Sequence, residues 1–552
     1  MTDHLKIALV QRNPTVGDVA GNAALIRAAR AEAAAAGADL VLFSELFLIG
    51  YPPEDLVLKP ALQDAIAQTM QTLAAETKDG GPALLIGAPW REGDALHNAM
   101  LLCDGGQIAA IRYKHDLPNY GVFDEKRVFT AGPMPGPVNF RGVRLGVPIC
   151  EDIWQPDVVE CLAETGAEIL LVPNGSPYEV DKADQRMNRV VARITESGLP
   201  LVYVNQYGGQ DELVFDGGSF VLNSDCSLAV QMPHWQEGLV ITHWSREADG
   251  WRCAAGERAA PPEEMEAIYQ AMMLGLRDYV NKNRFPGILL GLSGGIDSAL
   301  SAAVAADALG PDRVRCVMMP YIYTAQESLD DAAECAKLLG VRYDIVSIKP
   351  AVESFREMLA PLFVGRDPDI TEENMQSRAR GLLLMALSNK FGEMVLTTGN
   401  KSEVSVGYAT LYGDMCGGYN TLKDIYKMTV FALSRWRNQH LPEGALGPSG
   451  RVIPENIITR PPTAELRADQ KDEDSLPPYE VLDDILNCLV EQEMSVAQVV
   501  ARGHQPDVVR RIQNLLYIAE YKRRQAAPGV KISSKIYGRD RRYPITNRFR
   551  DT

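Results

Sequence analysis

The sequence has no apolar run of about 18 residues, the length a membrane helix needs, so no membrane span is expected. Residues 1–10 lack a long apolar stretch and polar residues follow, so nothing there resembles a secretory signal. Positive charge is the minority sign, with 55 Lys and Arg against 72 Asp and Glu and a formal net charge of -17. That balance argues against a general nucleic-acid or anionic-membrane binder, because both partners need a positive field. A locally basic pocket for a phosphate-rich small molecule stays open. Histidine is scarce, at seven residues, none in metal-ligand spacing, and there is no CxxC pair. Zinc is therefore not expected. The nine cysteines are scattered and odd in number, which suits reduced cytoplasmic thiols better than a disulfide framework. Internal repeats and low-complexity tracts are missing too.

What is present is apolar material enough for two large cores: 46% of 552 residues. The first half mixes strands and helices. Apolar strands are expected at 5–10, 40–43, 83–87, 100–103, 143–149, 169–172 and 201–204, with helices at 22–36, 158–164 and 184–196. Asp104-Gly105-Gly106 is a turn that makes 100–113 a hairpin. Such a mixture predicts a mixed sheet covered by helices. Residues 247–262 are polar, end in Ala-Ala-Pro-Pro and are read as a linker between domains 1–246 and 263–552. From Gly287 strands and helices alternate regularly, with strands at 288–290, 313–318, 343–346 and 393–397. Regular alternation predicts parallel strands with right-handed crossovers, a doubly wound sheet. The acidic stretch 463–478, with Lys471-Asp472-Glu473-Asp474, is read as a loop.

Three residues in the first half each follow an apolar strand: Glu45, Lys114 and Cys150. Strand ends are where a sheet opens to substrate. A thiolate is a strong nucleophile, a carboxylate can take the thiol proton and return it to a leaving amine, and an ammonium can stabilise the oxyanion. If Cys150 begins a helix, the N-terminal dipole lowers its pKa. Taken singly, each residue is more often an inert core thiol or a solvated loop charge. Taken together, Phe43-Ser44-Glu45-Leu46, the block Tyr113-Lys114-His115-Asp116-Leu117-Pro118-Asn119-Tyr120 and Ile149-Cys150-Glu151-Asp152 resemble the three blocks of the nitrilase (carbon–nitrogen hydrolase) superfamily. The resemblance implies a Glu-Lys-Cys triad on an α-β-β-α sandwich over roughly residues 4–245. Many members carry a second glutamate eight residues after the lysine. Here that position is Val122, and the nearest acids are Asp124 and Glu125. The glutaminase branch of the superfamily implies glutamine contacts at Tyr120, Ser176 and Lys182.

In the second half, Gly291-Leu292-Ser293-Gly294-Gly295-Ile296-Asp297-Ser298 lies between a strand and an Ala-rich helix. Glycines let backbone approach phosphates, and the helix N-terminus attracts their charge. Asp297 can hold a magnesium ion beside them. The lysine of GxxxxGK[ST] is missing, so a Walker A reading fails. The string resembles the pyrophosphate loop of N-type ATP pyrophosphatases, which adenylylate a carbonyl oxygen and let a nitrogen nucleophile displace AMP.

Other blocks resemble NAD synthetases. Thr397-Thr398-Gly399-Asn400-Lys401-Ser402-Glu403 implies that Thr398 contacts ATP and that Glu403 contacts deamido-NAD or magnesium. The block from Glu373-Asn374 to Arg380-Gly381 implies that Asn374 contacts deamido-NAD. Lys423 falls at an ATP-phosphate lysine, and Lys522 in the basic tail at a dinucleotide contact. The order, glutaminase then synthetase, resembles the glutamine-dependent NAD synthetases. It implies ATP as co-substrate, Mg2+, a protected ammonia route, a cytoplasmic homo-oligomer, and no nucleic-acid or membrane partner. Two rivals stand beside it: an amidotransferase with another carboxylate acceptor, and a catalytically silent first half that only supports the second.

Overall fold

The structure is a computed structural model that describes residues 3–467, 470, 472–474 and 476–551. The chain forms two compact units that divide between Pro262 and Glu263.

The first unit is built on two sheets. One has seven strands in the order Gly250–Cys253, Gly238–Glu247, His4–Gln11, Leu40–Leu42, Ala83–Glu92, Ala95–Asp104, Gln107–Tyr113. The other has six: Leu228–Gln231, Phe220–Leu222, Leu201–Asn205, Ile169–Asn174, Val143–Gly146, Val138–Phe140. Side chains on a strand alternate between faces. Leu5, Ile7 and Leu9 accordingly pack with Leu145, Ile169, Leu171, Val202 and Val204 between the sheets. Ala8 and Val10 face the other way, onto Ala23, Ile26, Met70 and Leu73 of the helices Val19–Ala35 and Pro60–Glu76. The second sheet's outer face, Leu170, Val172, Leu201 and Tyr203, is covered by Val158, Leu162, Val190 and Ile194 from Asp157–Glu164 and Lys182–Ser197. Helix, sheet, sheet, helix is the layering that buries every apolar stripe.

Both sheets have a parallel core, His4–Gln11 with Leu40–Leu42 and Ala83–Glu92 in one, Val143–Gly146 with Ile169–Asn174 and Leu201–Asn205 in the other. Two boundaries differ from the sequence reading. The stretch expected to be linker contains Gly250–Cys253, paired antiparallel with Gly238–Glu247 and burying Trp251 and Cys253 in the inter-sheet core. The strand expected over 143–149 stops at Gly146, and the Ile149 N–H donates to the Asp152 carboxylate at 2.9 Å instead of to a ladder.

The second unit has a five-stranded parallel sheet in the order Arg342–Ile345, Val314–Met318, Ile288–Gly291, Met394–Thr397, Tyr419–Asn420. Chain order reverses between Ile288–Gly291 and Met394–Thr397. In open parallel sheets that switch point opens a crevice at the strands' C-terminal ends. Helix Ile370–Phe391 starts where Asp369 and Glu372 form a capping box. A separate apolar cluster joins Tyr479–Leu486, Val496–Ala501 and Pro506–Ile518. In the acidic stretch expected to be a loop, Asp472–Asp474 forms one 3-10 turn; Lys471 lies outside the described residues.

Candidate active sites

The parallel strands of the first unit deliver Glu45, Cys150 and Ser176 to one end of their sheets, and Lys114 follows the strand Gln107–Tyr113. Glu45 and Lys114 are fully buried and joined, with Lys114 Nζ 2.7 Å from Glu45 Oε1. The other oxygen of Glu45 accepts the Gly175 N–H at 2.9 Å. A Cβ on Gly175 would lie 2.8 Å from the Tyr51 ring and 3.2 Å from Glu45 Oε2, so only glycine fits there. Lys114 Nζ also donates to Glu125 Oε1 at 2.9 Å. Glu125 takes the Tyr51 hydroxyl at 2.9 Å, and Asn98 Nδ2 donates to Glu45 at 2.7 Å. Of the two acids near position 122, Glu125 thus turns inward. Asp124 instead pairs with Arg127 at the surface.

Burial alone would lower the Lys114 pKa, but Glu125 and Glu45 outweigh it and hold it well above the ordinary value. The ammonium is permanently charged. Glu125 is pushed up by burial and by Glu45, against the pull of Lys114.

Cys150 is buried, with φ at +47°, a left-handed conformation that L residues adopt at a cost and that clusters at functional sites. The helix expected to start at Cys150 is a four-residue 3-10 turn, Cys150–Ile153. The expected lowering of its pKa is reversed. Burial and the Glu45 charge push the thiol well up, and Lys114 only partly offsets them. The turn is tied to the lysine strand by Asp152, whose Oδ1 accepts the N–H groups of His115 and Asp116 at 3.1 and 2.7 Å.

The expected glutamine contacts surround this group. Tyr120 is half exposed and its hydroxyl donates to Glu151 at 2.9 Å. Both line a cavity of about 540 Å³. Ser176 is buried beside Arg186. Lys182 opens its helix with Nζ 4.7 Å from the Trp154 ring centre. Sequence reasoning missed Tyr51, Asn98, Asp152 and Arg186, none of which ends an apolar strand in the way that marked the triad.

In the second unit, Gly291 to Ser298 and Thr398 line one cleft of about 300 Å³ at the switch point. Gly294, at φ +81°, brings the loop against Ser328, whose carbonyl would lie 2.5 Å from a Cβ. The loop closes on itself: Ser298 Oγ donates to Gly295 O at 2.9 Å and the Gly295 N–H to Ser293 Oγ at 3.2 Å. Asp297 and Glu403 converge on Lys427 Nζ, which is hydrogen-bonded to Asp297 and 3.3 Å from Glu403. Asn400 Nδ2 also donates to Asp297, at 2.8 Å. Asp472 is a further carboxylate of the cleft lining, which also includes Asp414 and Glu465. Burial, with Asp297 and Asp472 nearby, raises Glu403 to about 8 despite Lys427.

Lys423, expected at the phosphates, is buried outside the cleft lining, and Lys427 stands there instead. Lys427 is the first residue of the helix Lys427–Gln439, and Lys423 lies in the turn before it. Asn374 lies outside the lining too, its Oδ1 accepting the Thr410 hydroxyl at 2.9 Å. Lys522 donates to the carbonyls of Gly407 and Ala409 at 2.8 and 2.6 Å, so its ammonium caps the end of the helix Lys401–Val406 that carries Glu403.

Among the described residues no three His, Cys, Asp or Glu form a ready-made metal site. Magnesium seldom needs one, since it is commonly held by one or two carboxylates and completed by substrate phosphates. The carboxylates of Asp297 and Glu403, oxygen ligands that meet at one point of the cleft, fit that mode.

The two sites define the class: a carbon–nitrogen hydrolase, matched over residues 6–252, followed by an NAD synthase, matched over residues 268–526. The chain is 53% identical to the glutamine-dependent NAD(+) synthetase of Rhodobacter capsulatus and 46% identical to that of Acinetobacter baylyi, covering 100% and 99% of each chain. It is similar to a solved structure of glutamine-dependent NAD+ synthetase from Acinetobacter baumannii in complex with ADP, at 43% identity and a TM-score of 0.79 over 98% of both chains. The fold alone is shared with the synthetase of Cytophaga hutchinsonii, at 22% identity and a TM-score of 0.81 over 99% of this chain and 98% of that one. This chain belongs to the glutamine-dependent NAD(+) synthetase family.

Proposed function

We propose that the chain releases ammonia from glutamine in its first unit and, in its second, uses ATP to join that ammonia to the nicotinate carboxylate of deamido-NAD, the final step of NAD synthesis. The observation that carries the reading is the buried Glu45–Lys114–Glu125 group beside Cys150, in one chain with the phosphate loop.

Cys150 is the nucleophile. Its thiol rests protonated, so Glu45 acts as general base at the moment of attack rather than guarding a preformed thiolate. Sulfur adds to the amide carbon, and Lys114 stabilises the oxyanion. Ammonia leaves with the proton that Glu45 returns. Water then cleaves the glutamyl thioester to glutamate and free thiol. Tyr120, Ser176 and Lys182 hold the glutamine.

In the second unit, residues 291–298 cradle the ATP phosphates, with Thr398 and Lys427 beside them. Asp297 and Glu403 would hold Mg2+, which when bound neutralises phosphate oxygens. Asn374, Glu403 and Lys522 belong to the deamido-NAD end; Lys522 acts there through the loop it caps. The nicotinate oxygen attacks the α-phosphorus and pyrophosphate leaves. Ammonia attacks the adenylylated carbon and AMP leaves, giving NAD.

Free ammonia is mostly protonated near neutral pH, so a protected route between the sites serves the reaction. Exposed Ile370, Leu382 and Phe391 on the helix Ile370–Phe391, with Leu362 and Val364 before it, support a homo-oligomer that covers them. Among the described residues no helix is long and apolar enough to cross a membrane, and nine free cysteines suit the cytoplasm.

The test is ATP-dependent NAD formation from deamido-NAD with glutamine or ammonium. Cys150→Ala should abolish the glutamine reaction and keep the ammonium reaction. Equal loss with both donors would overturn the assignment.

A further inference from the structure

A buried ionic network lies behind the glutamine side of the first unit, and the triad does not use it. Arg186, on the helix Lys182–Ser197, is buried. Its Nη1 donates to Asp216 Oδ1 at 2.8 Å and Oδ2 at 3.1 Å. Its Nη2 donates to the carbonyls of Ser176 and Pro177 at 2.8 and 2.9 Å, and its Nε to Ser176 Oγ at 3.0 Å. Asn205 Nδ2 adds a bond to Ser176 O at 3.1 Å. Asp216 ends the strand Leu213–Asp216, and His234 Nδ1 lies 3.0 Å from its Oδ2. Gly218, at φ +63°, makes room for that ring, because a Cβ there would sit 2.3 Å from His234. Burial would push the Asp216 carboxyl up, but Arg186 and His234 hold it at about 2. The carboxylate is therefore always present to lock the guanidinium.

A guanidinium donates and never accepts. Ser176 Oγ must therefore accept from Arg186 Nε, and its own O–H is left to turn to another acceptor, the neighbouring Tyr203 hydroxyl or a carboxylate of the substrate. A hydroxyl whose oxygen accepts from a cation is also a stronger donor. We propose that Arg186, locked by Asp216 and His234, is a positioning residue that turns the Ser176 hydroxyl into a fixed donor for the substrate's α-carboxylate. It thereby makes the first unit select an amide bearing that carboxylate. This rests on the reading of Ser176 as a glutamine contact.

The experiment compares glutamine with 4-aminobutanamide, the same amide without the carboxylate, by ammonia release, or as a competitive inhibitor where turnover is slow. Arg186→Lys keeps the charge and loses the fixed fork. It should raise the KM for glutamine at least about tenfold, the worth of one charge-assisted hydrogen bond. It should leave 4-aminobutanamide and the iodoacetamide alkylation rate of Cys150 within about twofold of the parent enzyme. Equal losses on both amides would show a structural role and overturn the proposal, as would an unchanged KM for glutamine. If Arg186→Lys does not fold, Asp216→Asn is judged by the same outcomes. Ser176→Ala separates the two readings: an unchanged glutamine KM there refutes the Ser176 assignment itself. A raised KM there with no effect of Arg186→Lys refutes only the positioning role.

Discussion

Replacing Glu125 with Gln tests whether the inward acid, three residues beyond the expected spacing, belongs to the glutaminase machinery. Glu125 is buried and takes hydrogen bonds from Lys114 at 2.9 Å, Tyr51 at 2.9 Å and Asn98 at 3.4 Å. A glutamine amide fills the same volume, but its NH2 faces donors and its charge is gone. Lys114 keeps Glu45 at 2.7 Å, so the ammonium is not left unpaired and the full penalty of about 3–5 kcal/mol for breaking a buried pair does not apply. One charged hydrogen bond is lost, about 1.5–3 kcal/mol. For a unit of this size that lowers the melting temperature by roughly 3–10 °C. The functional loss is larger, because the residue that stabilises the oxyanion has lost one of two anchors and the site one of two carboxylates. Glutamate release should fall by about 10²–10⁴, and ammonium-dependent NAD formation should persist. Asp124→Asn is the control, since Asp124 pairs with Arg127 at the surface, and it should leave glutamate release unchanged. A fully active Glu125→Gln, or a larger loss from Asp124→Asn, would refute the reasoning.

Asp297→Asn should stop NAD formation with either donor while glutamate release continues, read as product against glutamate in one reaction mixture. Chelation with EDTA should do the same to the parent enzyme, and restored synthesis on adding Mg2+ is the expected reversal. The third prediction concerns acid stability. Asp216 is held at about 2 against an ordinary value of 3.8, so it contributes stability above about pH 4 that is lost as pH falls through about 2. The shift corresponds to about 2 kcal/mol. Asp216→Asn should be less stable than the parent at pH 6, with the gap narrowing by roughly that amount between pH 4 and 2. A gap independent of pH would contradict the depressed carboxyl.

Glu45, Lys114 and Cys150 were singled out by the resemblance of their three sequence blocks, since a place after an apolar strand alone marks an inert residue more often than a reactive one. Their partners carried no such mark. Asn98 lies within the strand Ala95–Asp104 and is buried among apolar neighbours. A period-two pattern says only that such a residue points inward. Tyr51 and Glu125 meet across 74 positions, and no local spacing records that distance. The phosphate loop was legible residue by residue, since Gly, Ser and Asp there act through the backbone turn that they themselves build. Lys423 lies in the turn before the helix Lys427–Gln439 and outside the cleft lining, and sequence spacing alone does not say which of the two lysines faces the cleft.

The two sites share one electrostatic device and use it differently. Each places a buried lysine among carboxylates, Lys114 with Glu45 and Glu125, Lys427 with Asp297, Glu403 and Asp472. In the first, burial foremost and the Glu45 charge after it keep the Cys150 thiol protonated until Glu45 can take its proton. A neutral resting thiol is less open to alkylation and oxidation than a free thiolate, a useful property for a nucleophile that must wait for substrate. In the second, burial more than neighbouring charge raises Glu403 to about 8, so it rests largely protonated beside Asp297 and Lys427. A divalent cation arriving with the phosphates would favour the ionised form of Glu403, so metal binding and proton release are coupled at this site.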